Sequence, residues 1–102
     1  VATLYIAEYA EVSLMLGGRL VMVPVEPPLA EQTLSIGGSS VQSSAFNAGT
    51  QVVRLNTDSA CSVLFGTNPT AAATNGRKSA GATEYHGVPR GQSFKVAVIT
   101  NS

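Results

Sequence analysis

The chain has one cysteine, one histidine and no tryptophan. A single cysteine excludes an internal disulfide, so packing alone must hold the fold. One cysteine and one histidine fall short of the roughly four ligands that a zinc centre takes, and the six carboxylates are too widely spaced to form a calcium cluster. Charge is scarce as well. Asp, Glu, Lys and Arg make up 12% of the 102 residues, about half the usual share. Six acidic residues cancel six basic ones, Arg19, Arg54, Arg77, Lys78, Arg90 and Lys95, which are scattered along the chain. That leaves no electrostatic footprint for nucleic acid or for an anionic membrane. No run approaches the roughly 18 apolar residues of a spanning helix, so no membrane partner is expected. No charged and then apolar leader opens the chain, so no signal peptide is visible.

What remains is 44% apolar, and the rest is dominated by small neutral residues. The length fits one domain over residues 1–102, able to bury about 60–65% of its unfolded surface in a single core. A surface of Ser, Thr, Asn, Gln, Gly and Ala suits packing against other protein.

The second half reads as strands. Val53, Leu55 and Thr57 alternate with polar residues in QVVRLNT. Cys61, Val63 and Phe65 share a face in ACSVLFG, and Phe94, Val96 and Val98 share one in SFKVAVIT. Such period-two patterns argue for half-buried strands. TDSA at 57–60 suits a hairpin turn between the first two, and VPRG at 88–91 a type I turn before the last. LVMVPV, apolar on both faces, fits a strand covered on both sides, with Pro24 at an edge or bulge. QTLSI and SSAFNA read as further, weaker strands. In residues 1–20, Tyr5, Tyr9, Val12 and Leu16 fall on a helical stripe while Leu4 and Ile6 alternate. The β content elsewhere favours an extended strand or arm. The expected fold is all-β, a β-sandwich or jelly-roll-like domain of about seven or eight short strands.

Cys61 and His86 are the parts of a nucleophilic dyad, but Cys61 shares its face with Val63 and Phe65, where a thiol behaves as a small hydrophobe. No helix terminus is expected nearby to activate it. TNGRKS at 74–79 departs from a phosphate-binding loop: Arg77 separates Gly76 from Lys78, and Ala71 stands where the first glycine is required. Neither a catalytic residue, a metal ligand nor a cofactor is therefore expected.

The stretches AFNAGTQVVRLNTDSACSVLFGTNPTA and RKSAGATEYHGVPRGQSFKVAVI carry a pattern of strand and turn residues: Arg54-Leu55, Thr57-Asp58, Ala60-Cys61, Phe65-Gly66, Pro69, Ala80-Gly81, Glu84-Tyr85, Gly87-Val88 and Val96-Ala97-Val98-Ile99. With VPVEPPLAEQTLSIG and ATLYIAEYA upstream, nearly the whole chain resembles small structural proteins of tailed bacteriophages. The resemblance implies a virion component assembled in the host cytoplasm. The expected function is capsid cement or decoration. The expected partner is the major capsid protein or another virion protein, met as a homo-oligomer or in many copies per particle. The alternatives are a neck or tail adaptor, distinguished by copy number, and a carbohydrate-binding β-sandwich for host adsorption, disfavoured because tryptophan is absent.

Two segments are expected to carry the contacts. The first is an N-terminal arm around Leu4, Tyr5, Ile6 and Tyr9, apolar yet placed where chain ends usually fray. The second is the long loop 66–78, with Asn68, Pro69, Arg77 and Lys78, together with His86. The β core would then be a rigid block, and residues 1–10 dispensable for folding.

Overall fold

The alternation of TLYIAEY forms a strand, β1 (Thr3–Tyr9). The computed structural model describes residues 2–11 and 14–101; Val1, Val12, Ser13 and Ser102, which the one-domain expectation includes, lie outside the described residues. After β1 come β2 (Leu14–Leu16), β3 (Arg19–Val21), β4 (Ala30–Ser35), β5 (Val41–Gln42) and β6 (Val52–Thr57). β7 (Cys61–Gly66), β8 (Gly76–Lys78), β9 (Thr83–Gly87) and β10 (Lys95–Thr100) complete the chain. The described residues contain no helix. The fold is all-β, with ten strands among the described residues against the seven or eight expected, the excess lying in short pieces such as β2, β5 and β8.

Two four-stranded antiparallel sheets, ordered β4-β1-β6-β9 and β5-β10-β7-β8, face each other as a sandwich. Pairing fixes which side chains meet. β1 is bonded on both sides, Ile6 lying opposite Gln32 of β4 and Leu55 of β6. Leu4 and Ile6 therefore join Val53 and Leu55 on the inner face, against Cys61, Val63, Val96 and Val98 of the other sheet. Ile36, Phe46 and Val88 close the ends of this cluster. Phe65 and Phe94, expected in the core, pack against it and are partly buried.

The N-terminal arm is thus corrected to an interior strand. Leu4, Ile6 and Tyr9 are buried, and Tyr5 alone of the four is exposed. The error has a physical source: a chain end frays only if nothing pairs with it, and here β4 and β6 flank it.

The turn TDSA is corrected too. It carries the chain from one sheet to the other, because β6 is already bonded to β1 and β9, and β7 to β10 and β8. Thr57 organises the corner, its Oγ1 donating to Ser59 O at 2.6 Å and accepting from Ser59 N at 3.2 Å. Asp58 Oδ1 accepts from Thr3 N at 2.7 Å and ties the corner to the start of β1. The turn after β9 falls on Arg90 and Gly91, with Gly91 at φ 73°, and also crosses between the sheets. SSAFNA forms no strand, although Ser43 N and Phe46 N donate to Val96 O and Phe94 O.

The long loop folds back on the molecule. Residues 67–75 connect β7 to β8 and lie on the outer side of their sheet, where Ala73 O accepts from Ser62 Oγ at 3.3 Å and Asn101 Nδ2 at 2.9 Å. Gln42 Nε2 donates to Pro69 O at 2.7 Å and Ala71 N to Ser40 Oγ at 2.9 Å. Pro69 and Ala71 are buried as a result, as is Ala97 beneath them.

Because β1 supplies both ladders and core, truncating it must be costly. Ile6→Ala is expected to remove about 2–5 kcal/mol of stability in urea titration. A chain lacking residues 1–10 should show no cooperative transition; cooperative unfolding of that chain would contradict the assignment of β1 to the core.

Candidate functional site

The structure scatters the residues expected at an interface. Leu4 and Ile6 face the core, and Tyr9 and Pro69 are buried on the outer faces of their sheets, so all four are corrected from contact residues to packing residues. Asn68 is exposed but engaged, its Oδ1 accepting from Gln42 Nε2 at 2.9 Å. Arg77 is exposed on β8. Lys78 and His86 are brought together, their Nζ and Nε2 lying 2.9 Å apart.

That contact belongs to a three-residue cluster. Lys78 sits on the edge strand of one sheet, opposite Cys61, while Glu84 and His86 sit on the edge strand of the other, opposite Leu55 and Val53. All three side chains therefore turn into the seam between the sheets. Lys78 is 3% exposed, and its ammonium donates to Glu84 Oε1 at 2.5 Å as well as to His86 Nε2. An ammonium has no lone pair, so His86 accepts through Nε2 and carries its proton on Nδ1. The His86 ring also lies 5.0 Å from that of Phe65. Cys61 takes no part, its Sγ lying 3.6 Å from Thr57 Oγ1. With the Lys78 charge met by Glu84 and the His86 lone pair spent on Lys78, this arrangement latches one open edge of the sandwich.

The most exposed large apolar side chains among the described residues lie on a segment that pattern reading misplaced. LVMVPV was expected to be a covered strand. Instead β3 ends at Val21 and pairs with β2 alone, as a separate two-stranded ribbon. Met22 is 69% exposed, Met15 and Leu20 each 62%, and Leu16 56%. The ribbon turns on Gly17 and Gly18, both with positive φ at 56° and 78°, the two-residue hairpin geometry that L side chains resist. Below its foot Met22, Val23, Pro24, Val52, Tyr85 and Gly87 line a shallow groove of about 580 Å³. A lone two-stranded hairpin is marginal in water, and contiguous exposed apolar surface marks a site of interaction. The sequence signal was there: Gly-Gly between two apolar runs is a hairpin signature.

Comparison with known proteins finds no matching family model, no matching curated protein and no matching solved structure. The functional surface therefore rests on this chain's own geometry. Among the described residues no three His, Cys, Asp or Glu side chains group as a metal site.

Burial and the nearby Lys78 charge hold the His86 imidazole below its usual 6.5, with Glu84 pulling the other way. The hydrogen bond from Lys78 holds the Glu84 carboxyl below its usual 4.5 against some desolvation. Both shifts act in the same direction. As pH falls below 6.5 the unfolded chain binds a proton that folded His86 resists, so stability declines until the folded ring titrates as well. Glu84 repeats the effect below 4.5. Urea midpoints measured down from about pH 7 to 5 should fall, and His86→Gln should flatten that slope. An unchanged slope in His86→Gln would contradict the latch.

Proposed function

We propose that the chain is a virion structural protein of a tailed bacteriophage, a cement or decoration protein that attaches to the shell through the β2–β3 hairpin. The hairpin carries this reading: it presents Met15, Leu16, Leu20 and Met22 to solvent, on or beside a ribbon whose two strands, among the described residues, pair only with each other. The resemblance of nearly the whole sequence to small phage structural proteins supplies the setting.

The energetics favour many copies over tight single attachment. Burying one such side chain fully is worth about 1.5–3 kcal/mol, so the four together supply about 6–12 kcal/mol, little more than offsetting the estimated 4–15 kcal/mol of freedom lost on association. A single hairpin therefore gives a weak bond. Copies in mutual contact on a symmetric shell of major capsid protein are joined to one another, and their contacts then add by multivalency. The sandwich acts as the rigid block behind the hairpin. The same contact would serve a neck or tail adaptor, and the number of copies per particle separates the two.

The test is a triple variant, Met15→Ser, Leu20→Ser and Met22→Ser, added to capsids assembled without the protein. Its unfolding midpoint should match that of the parent chain, since these side chains lie outside the core, while particle binding is lost. Decoration at full occupancy by the triple variant would overturn the proposal.

A further inference from the structure

We infer that the outer face of the β4-β1-β6-β9 sheet binds a neutral oligosaccharide. Strand register builds a trough there. One row across the sheet reads Glu31, Ala7, Arg54 and Tyr85, and in the neighbouring row Tyr5 lies opposite Asn56. Ala7 is the floor. Its methyl group stands between the longer Glu31 and Arg54 side chains, leaving a cavity of about 730 Å³, within the usual range of about 300–1,000 Å³ for ligand sites.

The walls match a polyhydroxylated ligand. Tyr5 and Tyr85 are 49% and 53% exposed, at opposite corners of the trough. Two strand spacings and one two-residue step set their backbones about 12 Å apart, so a single sugar ring cannot reach both and a chain of rings can. Aromatic faces pack on the C–H faces of such rings while the phenol hydroxyls stay hydrated. Between them lie unspent polar groups. Among the described residues neither Glu31 nor Arg54 forms an ion pair. Asn56 donates its amide hydrogens to Thr83 Oγ1 at 2.8 Å and Ala82 O at 3.3 Å, which leaves its carbonyl oxygen as an acceptor. Hydroxyl groups, each both donor and acceptor, can answer a carboxylate, a guanidinium and an amide carbonyl side by side.

Charge narrows the ligand class. Glu31 and Arg54 cancel, and one cation cannot hold a nucleic-acid backbone. An apolar protein partner would strand both charges away from water. Arg54 is held in place beforehand, its guanidinium 5.8 Å over the ring of Tyr9, whose hydroxyl donates to Glu26 Oε2 at 2.9 Å. Such preorganisation lowers the cost of binding.

The experiment titrates the full chain with maltohexaose, cellohexaose and the hexamer of N-acetylglucosamine, following amide chemical shifts. At least one sugar should give saturable shifts at Tyr5, Asn56 and Tyr85. Ala7→Leu, which fills the trough from its floor, should weaken that binding by about tenfold or more. Tyr85→Ala, on an exposed edge strand, should do the same and serves if Ala7→Leu does not fold. The hairpin triple variant should bind sugar as the parent does, so loss of decoration and loss of sugar binding can be told apart. No saturable shift with any of the three sugars, or binding untouched by both Ala7→Leu and Tyr85→Ala, would overturn the inference.

Discussion

The register of β1 is the constraint on which the rest depends. Bonded on both sides, the strand has no freedom to slip, and a slip of one residue would exchange its two faces. In this register Leu4 and Ile6 enter the core, while Tyr5 and Ala7 line the outer trough. Glu8 turns inward as well, near the end of the strand. Its carboxylate accepts from Asn47 N at 2.7 Å, Thr50 Oγ1 at 2.8 Å and Gln32 Nε2 at 3.4 Å. A buried carboxylate is tolerated only when so engaged, and here it fixes the loop before β6. One strand thus sets the core, a surface site and the path of a neighbouring loop.

A sandwich of two sheets has two open edges, and the molecule closes them differently. On one, Lys78 reaches from β8 to Glu84 and His86 on β9. On the other, Gln32 of β4 brackets Ser44, accepting from its N at 3.0 Å and donating to its O at 3.4 Å. Both closures use polar side chains. Among the described residues no buried side-chain nitrogen or oxygen lacks a partner. The four most exposed large apolar side chains among the described residues, Met15, Leu16, Leu20 and Met22, stand on the hairpin or directly after it, outside the core.

Much of the fold was legible because alternation is a local signal. Val53, Leu55, Cys61, Val63, Val96 and Val98 all lie in the core where the period-two patterns put them. What escaped was relational. TDSA has hairpin chemistry, yet whether its flanking strands pair depends on which ladders are already occupied, and that is decided by β1, β9, β10 and β8. The burial of Tyr9 likewise depends on Glu26 and Arg54, distant in sequence. The trough could not be read because Tyr5, Arg54 and Tyr85 come from three strands. The hairpin was a different case: Gly17-Gly18 was readable locally, but its apolar flanks imitate a covered strand, and nothing local distinguishes a side chain awaiting a partner from one already packed.

The proposed division of labour makes β1 the spine of a rigid sandwich and Met15, Leu16, Leu20 and Met22 its exposed contact element. Hydrogen exchange on the free and particle-bound chain tests it most directly. Amides of Leu4 to Glu8 should open only with global unfolding. Those of Met15, Leu16 and Leu20 should exchange far faster in the free chain and become protected on the particle. Exchange of β1 as fast as that of the hairpin, or a hairpin that gains no protection on binding, would contradict this division of labour.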